Sequence, residues 1–123
     1  MQNIDWNKYI KKSHEQYKSI GSVPCPAFNN ELILFNKYGW THLLRKGKDI
    51  RNRDEQARRI NLLLHASIII NKSTEYSEYR KNFLDGTIGH FWSLRKNILN
   101  KKLKVVIRQL DNGPKHFFSI MSE

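Results

Sequence analysis

The C-terminal part of the chain has the residue pattern of a β-hairpin, and this pattern restricts the fold more than any other feature. Two runs of alternating apolar and polar side chains, residues 103–110 and 115–121, are separated by the sequence Asp-Asn-Gly-Pro. The Asn-Gly pair supplies the positive φ angles that a tight hairpin turn needs, which predicts that Leu110 pairs with Lys115. The chain is therefore expected to end in two antiparallel strands that cover a core.

Alternation divides the side chains of this predicted hairpin between two faces. His116 falls on the apolar face near the turn, where a capping or exposed position is expected. The mixed face is interpreted either as an ordinary solvated strand surface or as a surface that contacts phosphates. The apolar face otherwise collects Leu103, Val105, Ile107, Phe118 and Ile120. The mixed face collects Lys104, Val106, Arg108, Lys115, Phe117, Ser119 and Met121.

Length and charge limit the classes of protein to consider. The 123 residues suffice for one domain with its own core, and 22 Lys and Arg against 11 Asp and Glu give a net charge of +11. This charge makes a polyanion the natural partner, with nucleic acid as the first choice. No apolar stretch approaches the ~20 residues of a membrane-spanning helix, and the N-terminus lacks the layout of a signal peptide. A cytoplasmic protein without membrane contacts is expected.

The remaining segments predict a mixture of helices and strands. Residues 4–19 have the spacing of a short amphipathic helix, and residues 27–36 contain a buried strand. The glycine-containing residues 39–45 are expected to form an exposed loop that continues as a basic stretch to the next helix. Residues 73–86 show no clear period and are interpreted as a loop or a ragged helix, whereas residues 87–98 have the pattern of a strand.

The strongest helix pattern covers residues 55–71, with Asp54 as the expected N-cap. It is apolar on nearly all sides, which predicts a central core helix packed on a sheet. Arg59 lies off its thin polar stripe, so its head group is expected to turn towards the sheet edge or to reach water along apolar surface. The fold prediction is α+β: an N-terminal helix and a central core helix packed on a mainly antiparallel β-sheet that a C-terminal hairpin closes.

The sequence lacks the motifs of metal and nucleotide chemistry. The five histidines are scattered, and the single Cys25 can form neither an internal disulfide nor a cysteine-rich metal site. The glycines do not cluster into a phosphate-binding loop. No metal and no cofactor are therefore predicted. Metal-free cleavage of RNA needs only a base, an acid and cations, because the 2′-hydroxyl is the nucleophile, and acid–base help is worth roughly 100- to 10,000-fold.

Several residues are candidates for such chemistry, and each also has an ordinary structural explanation. His42 follows a core strand and is either a catalytic residue or a structural loop histidine. Arg108 and Ser119 share the mixed face of the hairpin, which is either functional or simply solvated. Lys115 contacts nucleic acid or only aids solubility, and Trp92 stacks on bases or packs in the core. The dense basic run is expected to contact backbone phosphates through Arg45, Arg51, Arg53 and Arg58.

Local stretches across most of the chain after residue 24 resemble a known superfamily. The chain is similar to the metal-independent RNases that group barnase, EndoU, RelE and the tRNA-cleaving colicins, especially their phage-borne and toxin branches. The stretches that carry this resemblance are Cys-Pro-Ala-Phe at 25–28, Gly-Trp-Thr-His-Leu at 39–43, Arg-Arg-Ile-Asn-Leu-Leu at 58–63, Phe-Trp at 91–92, Val-Val-Ile-Arg at 105–108 and Lys-His-Phe-Phe-Ser-Ile at 115–120.

The resemblance implies a single RNase-like domain over residues 1–123 and a catalytic cleft. By position it implies that His42 is the general base or acid, and that Arg59 and Arg108 neutralise the phosphate. Ser119 would hold the phosphate or orient a catalytic group. The glutamate base of barnase has no counterpart in this sequence.

The leading functional hypothesis is a toxin or effector endoribonuclease that cleaves RNA to a 2′,3′-cyclic phosphate. Its expected partners are tRNA or mRNA and an acidic antitoxin or immunity protein, and its site of action is the cytoplasm of the producing or target cell. The alternative is a non-enzymatic basic module of a phage or regulatory system that binds nucleic acid. A ribosome-associated protein would share the charge without cleaving RNA.

Overall fold

The computed structural model describes residues 3–123, and a six-stranded sheet with helices against it dominates this range. The helices are α1 (Asn3–Ile20), α2 (Lys37–Leu44) and α3 (Arg53–Lys72), with a 3₁₀ turn at Pro26–Phe28. The strands are β1 (Ser22–Cys25), β2 (Glu31–Leu34), β3 (Arg45–Lys46), β4 (Asp49–Ile50), β5 (Glu78–Leu84), β6 (Thr87–Ile98), β7 (Lys101–Leu110) and β8 (Lys115–Ser122).

The large sheet has the strand order β1-β2-β8-β7-β6-β5, and β3 and β4 form a separate small hairpin. All neighbours in the large sheet are antiparallel except β2 and β8, which meet in parallel at Leu34 and His116. The predicted α+β fold with an N-terminal helix, a core helix and a C-terminal hairpin is confirmed. Beyond His116, α2 and α3 pack against β8, so the helices cover the part of this strand that β2 leaves unpaired.

Helix α3 forms the centre of the core, as its apolar pattern predicts. It begins two residues before the predicted start, because the side chain of Asn52, and not that of Asp54, caps it by accepting a hydrogen bond from the Glu55 backbone N–H at 2.8 Å. The buried residues of α3 are Gln56, Ile60, Leu62, Leu63, Ala66, Ile69 and Ile70. The sheet faces them with Leu94, Leu103, Val105, Ile107, Phe117 and Ile120, all of which are at most 1% exposed.

The predicted loop at residues 39–45 is wrong, since these residues belong largely to helix α2. The Asn36 side chain caps this helix by accepting from the Tyr38 backbone N–H at 3.1 Å. Gly39, which suggested a loop, is a buried helical residue. A Cβ there would lie 2.5 Å from the Phe117 carbonyl oxygen, so the glycine allows α2 to approach the backbone of β8 closely.

The interpretation of residues 73–86 as loop or ragged helix is also wrong, because β5 occupies half of this segment. As the edge strand of the sheet, β5 is exposed along most of its length, so it lacks the apolar–polar alternation that reveals a half-buried strand. Asp85 and Gly86 connect it to β6 with φ angles of 40° and 82°. This Asp-Gly pair is a hairpin signal that the sequence did carry.

The C-terminal hairpin is confirmed, but the predicted register holds only in the half of the hairpin far from the turn. Far from the turn the predicted pairs hold, for example Val106 with Ser119. An irregularity of the β-bulge type between Val106 and Ile107 shifts the register nearer the turn, so Lys115 pairs with Gln109 and not with Leu110. The Asn-Gly pair does not supply the positive φ there; Asp111 does, at 51°.

The bulge moves the β8 residues between it and the turn to the face opposite the predicted one. Phe117 is fully buried in the core, where it stacks on Phe35 at a ring distance of 4.9 Å, and Phe118 lies on the opposite face. Likewise, His116 joins the face of Arg108, and Lys115 leaves it. The predicted faces for these four β8 residues are therefore wrong, and the cause is one extra residue in β8.

The single cysteine, Cys25, is a buried free thiol in this core. No helix within residues 3–123 is both long and apolar enough to cross a membrane.

Candidate nucleic-acid cleft

A cleft of about 420 Å³ lies between helix α2 and the face of β7 and β8 that is turned away from α3. The α2 side contributes two cations, two hydroxyl groups and an imidazole, and the strands contribute a guanidinium and an aromatic ring. The lining residues are Lys37, Tyr38, Thr41, His42, Arg45, Gly47, Arg108 and Phe118. Cations outnumber carboxylates three to none in this lining, so the cleft is suited to an anionic ligand.

Arg108 is held in a fixed orientation at the base of this cleft. Its Nε donates a hydrogen bond to His116 Nε2 at 2.9 Å. The guanidinium carbon lies 4.3 Å from the ring centre of Phe118 and 5.1 Å from that of Tyr38. Burial lowers the pKa of Arg108, although an arginine stays charged at any ordinary pH. Because no other hydrogen bond engages Arg108 in the described part of the chain, its terminal nitrogens can donate to a phosphate.

His116 is the cross-strand partner that orients Arg108. The two residues pair between β7 and β8, and His116 is only 2% exposed. Burial, and then the charge of Arg108, lower the pKa of His116 to about 4. The imidazole is therefore neutral at pH 7 and accepts at Nε2. The sequence interpretation of His116 as a capping or exposed residue is wrong, because the register shift turns it under the cleft.

His42 lies in the last turn of α2 and lines the cleft together with Arg108 and Phe118. Its ring centre is 4.2 Å from that of Phe118, and its buried Nδ1 has no hydrogen-bond partner within residues 5–123. Burial lowers the pKa of His42 to about 4, and the positive charges of Arg51, Arg59 and Arg108 add to this effect. A neutral imidazole in a cationic cleft can accept a proton at pH 7.

Arg59 and Ser119 form a pair behind the cleft and do not line it. Arg59 Nη1 donates to Ser119 Oγ at 3.2 Å and to the Ile120 carbonyl at 3.3 Å. Its Nε donates to Glu55 at 2.9 Å. Arg59 thus turns to the sheet edge, one of its two predicted positions. Ser119 is 1% exposed, so of its two predicted roles only orientation of another group fits the geometry.

The four arginines predicted to contact phosphates are spread over different surfaces. Only Arg45 lines the cleft. Arg51 lies behind His42, where its Nε donates to the His42 carbonyl at 3.0 Å. Arg53 lies over Trp6 at 5.3 Å, and the exposed Arg58 pairs with Glu55 at 2.7 Å. The dense run in the sequence is therefore not one continuous phosphate-binding surface.

Lys115 and Trp92 lie on the other face of the sheet. The Lys115 Nζ is 5.0 Å from the Trp92 ring centre and forms an ion pair with Glu31 at 2.9 Å. The sequence placed Lys115 on the same face as Arg108, which the shifted register contradicts. These two residues consequently belong to a surface separate from the cleft.

Sequence reasoning missed several residues that shape the cleft: Lys37, Tyr38, Thr41, His116 and Phe118. Tyr38 was hidden because α2 was interpreted as a loop, although Asn36 is a suitable helix N-cap. His116 and Phe118 were assigned to the wrong face because simple alternation cannot reveal a bulge.

A depression of similar size, about 430 Å³, lies at the far end of β6 and β7. Its Arg95 is already paired with Glu123 at 2.9 Å, and no histidine lines it. Within residues 3–123 no group of three or more His, Cys, Asp or Glu side chains could hold a metal ion. The cleft beside α2 is therefore the strongest candidate site.

The chain matches no protein-family model, no curated protein and no solved structure. The resemblance to metal-independent RNases consequently stays a prediction, and the cleft itself has to carry the functional argument.

Proposed function

We propose that this protein is an endoribonuclease that cleaves RNA without a metal ion, by attack of the 2′-hydroxyl on the adjacent phosphorus. The observation that carries this proposal is the juxtaposition of a neutral imidazole, His42, with the oriented guanidinium of Arg108 in one cationic cleft. The reaction needs a proton acceptor and a fixed positive charge at the phosphate, and these two groups supply both.

In the proposed reaction, His42 removes the proton from the 2′-hydroxyl as the O2′–P bond forms. Arg108 donates hydrogen bonds to the phosphate oxygens, whose negative charge increases in the transition state. The P–O5′ bond then breaks, and the leaving oxygen takes a proton. Lys37 and Tyr38 line the cleft and have an ammonium and a phenol group as proton donors, so one of them is the proposed acid. The products are a 2′,3′-cyclic phosphate and a free 5′-hydroxyl.

Three further residues support this arrangement without touching RNA. His116 holds Arg108, as described above, and Arg59 holds the edge of β8 next to His42 through Ser119 and Ile120. Loss of the His116 contact would free Arg108 to move relative to the phosphate, and loss of the Arg59 contacts would loosen the strand edge beside His42. We therefore assign Arg59, His116 and Ser119 to positioning.

The test is incubation of purified protein with tRNA and with mRNA in the presence of EDTA. We expect cleavage with cyclic-phosphate ends, and none when the RNA carries a 2′-deoxy group at the scissile position. His42→Ala and Arg108→Ala should each abolish cleavage, because general acid–base catalysis and charge stabilisation each contribute roughly 100-fold or more. His65→Ala and Lys12→Ala, matched changes outside the cleft, should leave it unchanged. Cleavage that survives in both cleft variants would contradict the mechanism.

A second candidate function, binding of nucleic acid without cleavage, is favoured by a different observation. Arginine and aromatic side chains alternate across the sheet beyond the cleft, from Phe118 to Phe91 at 5.7 Å and on to Arg80 at 5.4 Å. Such a surface holds RNA whether or not chemistry follows. Binding by wild-type protein together with intact RNA after prolonged incubation would select this alternative.

We further propose that the enzyme acts as a toxin or effector in the cytoplasm and that an acidic antitoxin or immunity protein covers the cleft. The support is the net charge of +11 and the exposed cations at its rim, Lys37 and Arg45. Co-expression with the product of the neighbouring reading frame should relieve the toxicity of the wild-type protein. It should relieve the toxicity of the Arg45→Glu variant less well. Equal protection of both would contradict a partner at the cleft.

A further inference from the structure

A second cluster of aromatic and basic side chains lies on the face of the sheet opposite the cleft, beside the region that α3 covers. It combines residues of the 3₁₀ turn, of the segment before β5, and of β5, β6 and β8. We call it the aromatic patch, and its members are Phe28, Tyr76, Tyr79, His90, Trp92 and Lys115.

Three rings on the neighbouring strands β5 and β6 lie together, with angles of 18° to 38° between their planes. Tyr79 and His90 are stacked at 5.9 Å with an angle of 18° between their planes, and His90 and Trp92 are stacked at 5.9 Å and 23°. The Tyr79 hydroxyl lies 2.6 Å from His90 Nδ1, which fixes both rings. Tyr79 is 45% exposed, so the cluster is partly open to solvent and is not closed core.

Two other rings extend this surface on the side of the 3₁₀ turn. Phe28 meets Trp92 edge to face at 5.3 Å and stacks with Tyr76 at 5.9 Å and 14°. Tyr76 is also 45% exposed. The patch therefore presents two separate exposed rings, Tyr76 and Tyr79, on either side of Trp92.

Positive charge accompanies these rings. Lys115 Nζ lies 5.1 Å from the ring centre of Phe28 and 5.0 Å from that of Trp92. Lys81 pairs with His90 across the strands and is exposed. Glu31 is the acid in contact with Lys115. A ligand that combines planar apolar rings with negative charge is complementary to this arrangement.

We infer that the aromatic patch binds single-stranded RNA by stacking bases on Tyr76 and Tyr79, as a second contact for the substrate of the proposed nuclease. Single-stranded nucleic acid has unstacked bases and a phosphate at every step, whereas a duplex hides its base faces. This inference rests on the proposed function only for the identity of the polyanion as RNA. The binding itself does not require cleavage.

The topology connects the patch with the cleft. Lys115 and His116 are consecutive in β8, and their side chains lie on opposite faces of the sheet, one in the patch and one beneath the cleft. An RNA strand that passes around the turn between β7 and β8 would contact both surfaces. RNA long enough to make this passage should therefore bind more tightly than a dinucleotide that fills only the cleft.

The binding test uses the His42→Ala protein, which keeps the RNA intact, and a single-stranded oligouridine long enough to span both surfaces. Tyr76→Ala combined with Tyr79→Ala should weaken binding by roughly 5- to 150-fold for each stacked base that is lost. Tyr76→Phe combined with Tyr79→Phe keeps both rings for stacking but removes the contact between Tyr79 and His90, so this variant should keep most of the affinity of the parent protein. Leu64→Ala removes an exposed apolar side chain of α3 outside the patch and should have no effect.

An abasic oligonucleotide of equal length and charge distinguishes stacking from charge alone. We expect it to bind weakly and to be insensitive to the two tyrosine changes. Unchanged affinity for oligouridine in the double alanine variant would overturn the inference, and so would an equal loss for the abasic strand. Near-UV circular dichroism checks that the double alanine variant is folded, and the double phenylalanine variant tests the same surface with its packing retained.

A dinucleotide separates this inference from the proposed function. In the protein with His42 intact, the tyrosine changes should leave cleavage of a dinucleotide unchanged, and Arg108→Ala should abolish it. If no RNA is cleaved but oligouridine binds through the two tyrosines, the nuclease proposal is contradicted and RNA binding by the aromatic patch is supported. If the dinucleotide is cleaved but the tyrosines do not matter for oligouridine, the patch fails alone.

Discussion

At the scale of single residues, the cleft depends on two histidines that burial and positive charge keep neutral. His42 and His116 each have a pKa of about 4 in the folded protein, against about 6.5 for an exposed histidine. The sequence indicated His42 as a candidate but assigned His116 to a peripheral role. Only the folded environment distinguishes them, since the burial of each imidazole and the approach of Arg108 depend on residues that are distant in sequence.

This pair predicts how stability depends on pH. Between about pH 6.5 and 4 the unfolded chain protonates both imidazoles and the folded protein does not, so stability falls as the pH is lowered through this window. Each histidine should contribute a slope of up to roughly 1.4 kcal/mol per pH unit. Urea unfolding at pH 7, 6 and 5 measures the slope, and His116→Gln should reduce it. A free energy of unfolding that does not change over this range would show that both residues are accessible to protons.

At the scale of elements, the cleft exists because α2 lies directly on the backbone of β8. The predicted loop at residues 39–45 failed for a physical reason: Gly39 serves close packing and not chain flexibility. Similarly, β5 escaped detection because both of its faces are exposed. Elements that bury a face, such as α3 and β6, were recognised because burial imposes a periodic pattern on their sequence.

Gly39→Ala tests the packing of α2. In an ordinary helix interior this change stabilises by roughly 0.5–1 kcal/mol, because alanine has the higher helix propensity. Here the new methyl group would meet the Phe117 carbonyl, so we expect a loss of about 1–3 kcal/mol. The free energy of unfolding from urea titration decides between the two signs. A stabilised variant would mean that α2 does not approach β8 as closely as described.

The bulge in β8 predicts opposite roles for two adjacent phenylalanines. Phe117 is fully buried, and Phe118 lines the cleft. Phe117→Ala should cost about 3–5 kcal/mol of stability. Phe118→Ala should cost clearly less but should weaken RNA binding, since Arg108 loses the ring that supports its guanidinium. Comparing the unfolding midpoint and RNA affinity of both variants tests the register. The reverse result would support the register that simple alternation predicts, with Phe118 in the core.

At the scale of the whole molecule, a net charge of +11 favours an anionic partner, and the fold determines which of the cations are open to one. Several arginines are engaged internally: Arg51 by a backbone carbonyl, Arg58 and Arg59 by Glu55. Arg45 and Arg108 line the cleft. The number of Lys and Arg residues in the sequence therefore overestimates how many cations are open to a phosphate.

Salt dependence measures that number. For a single strand, the slope of log affinity against log salt is roughly −0.7 for each phosphate contact. Arg45→Ala and Arg108→Ala should each make the slope less steep by about this amount, whereas Lys12→Ala on α1 should not change it. Fluorescence anisotropy of a labelled oligouridine at several salt concentrations, with His42→Ala protein, provides the slopes. Equal slopes for all three variants would show that neither arginine contacts a phosphate.

The sequence by itself determined the α+β class, the core helix, the presence of the C-terminal hairpin and the strong positive charge, because burial periodicity and net charge are properties of the linear chain. The tertiary structure decided which side chains meet. One extra residue in β8 reversed the faces of His116 and Phe118, and the close packing of Gly39 brought His42 beside Arg108. Such contacts depend on register and on packing distance, and these are set by the whole fold at once and leave no periodic signal in the sequence.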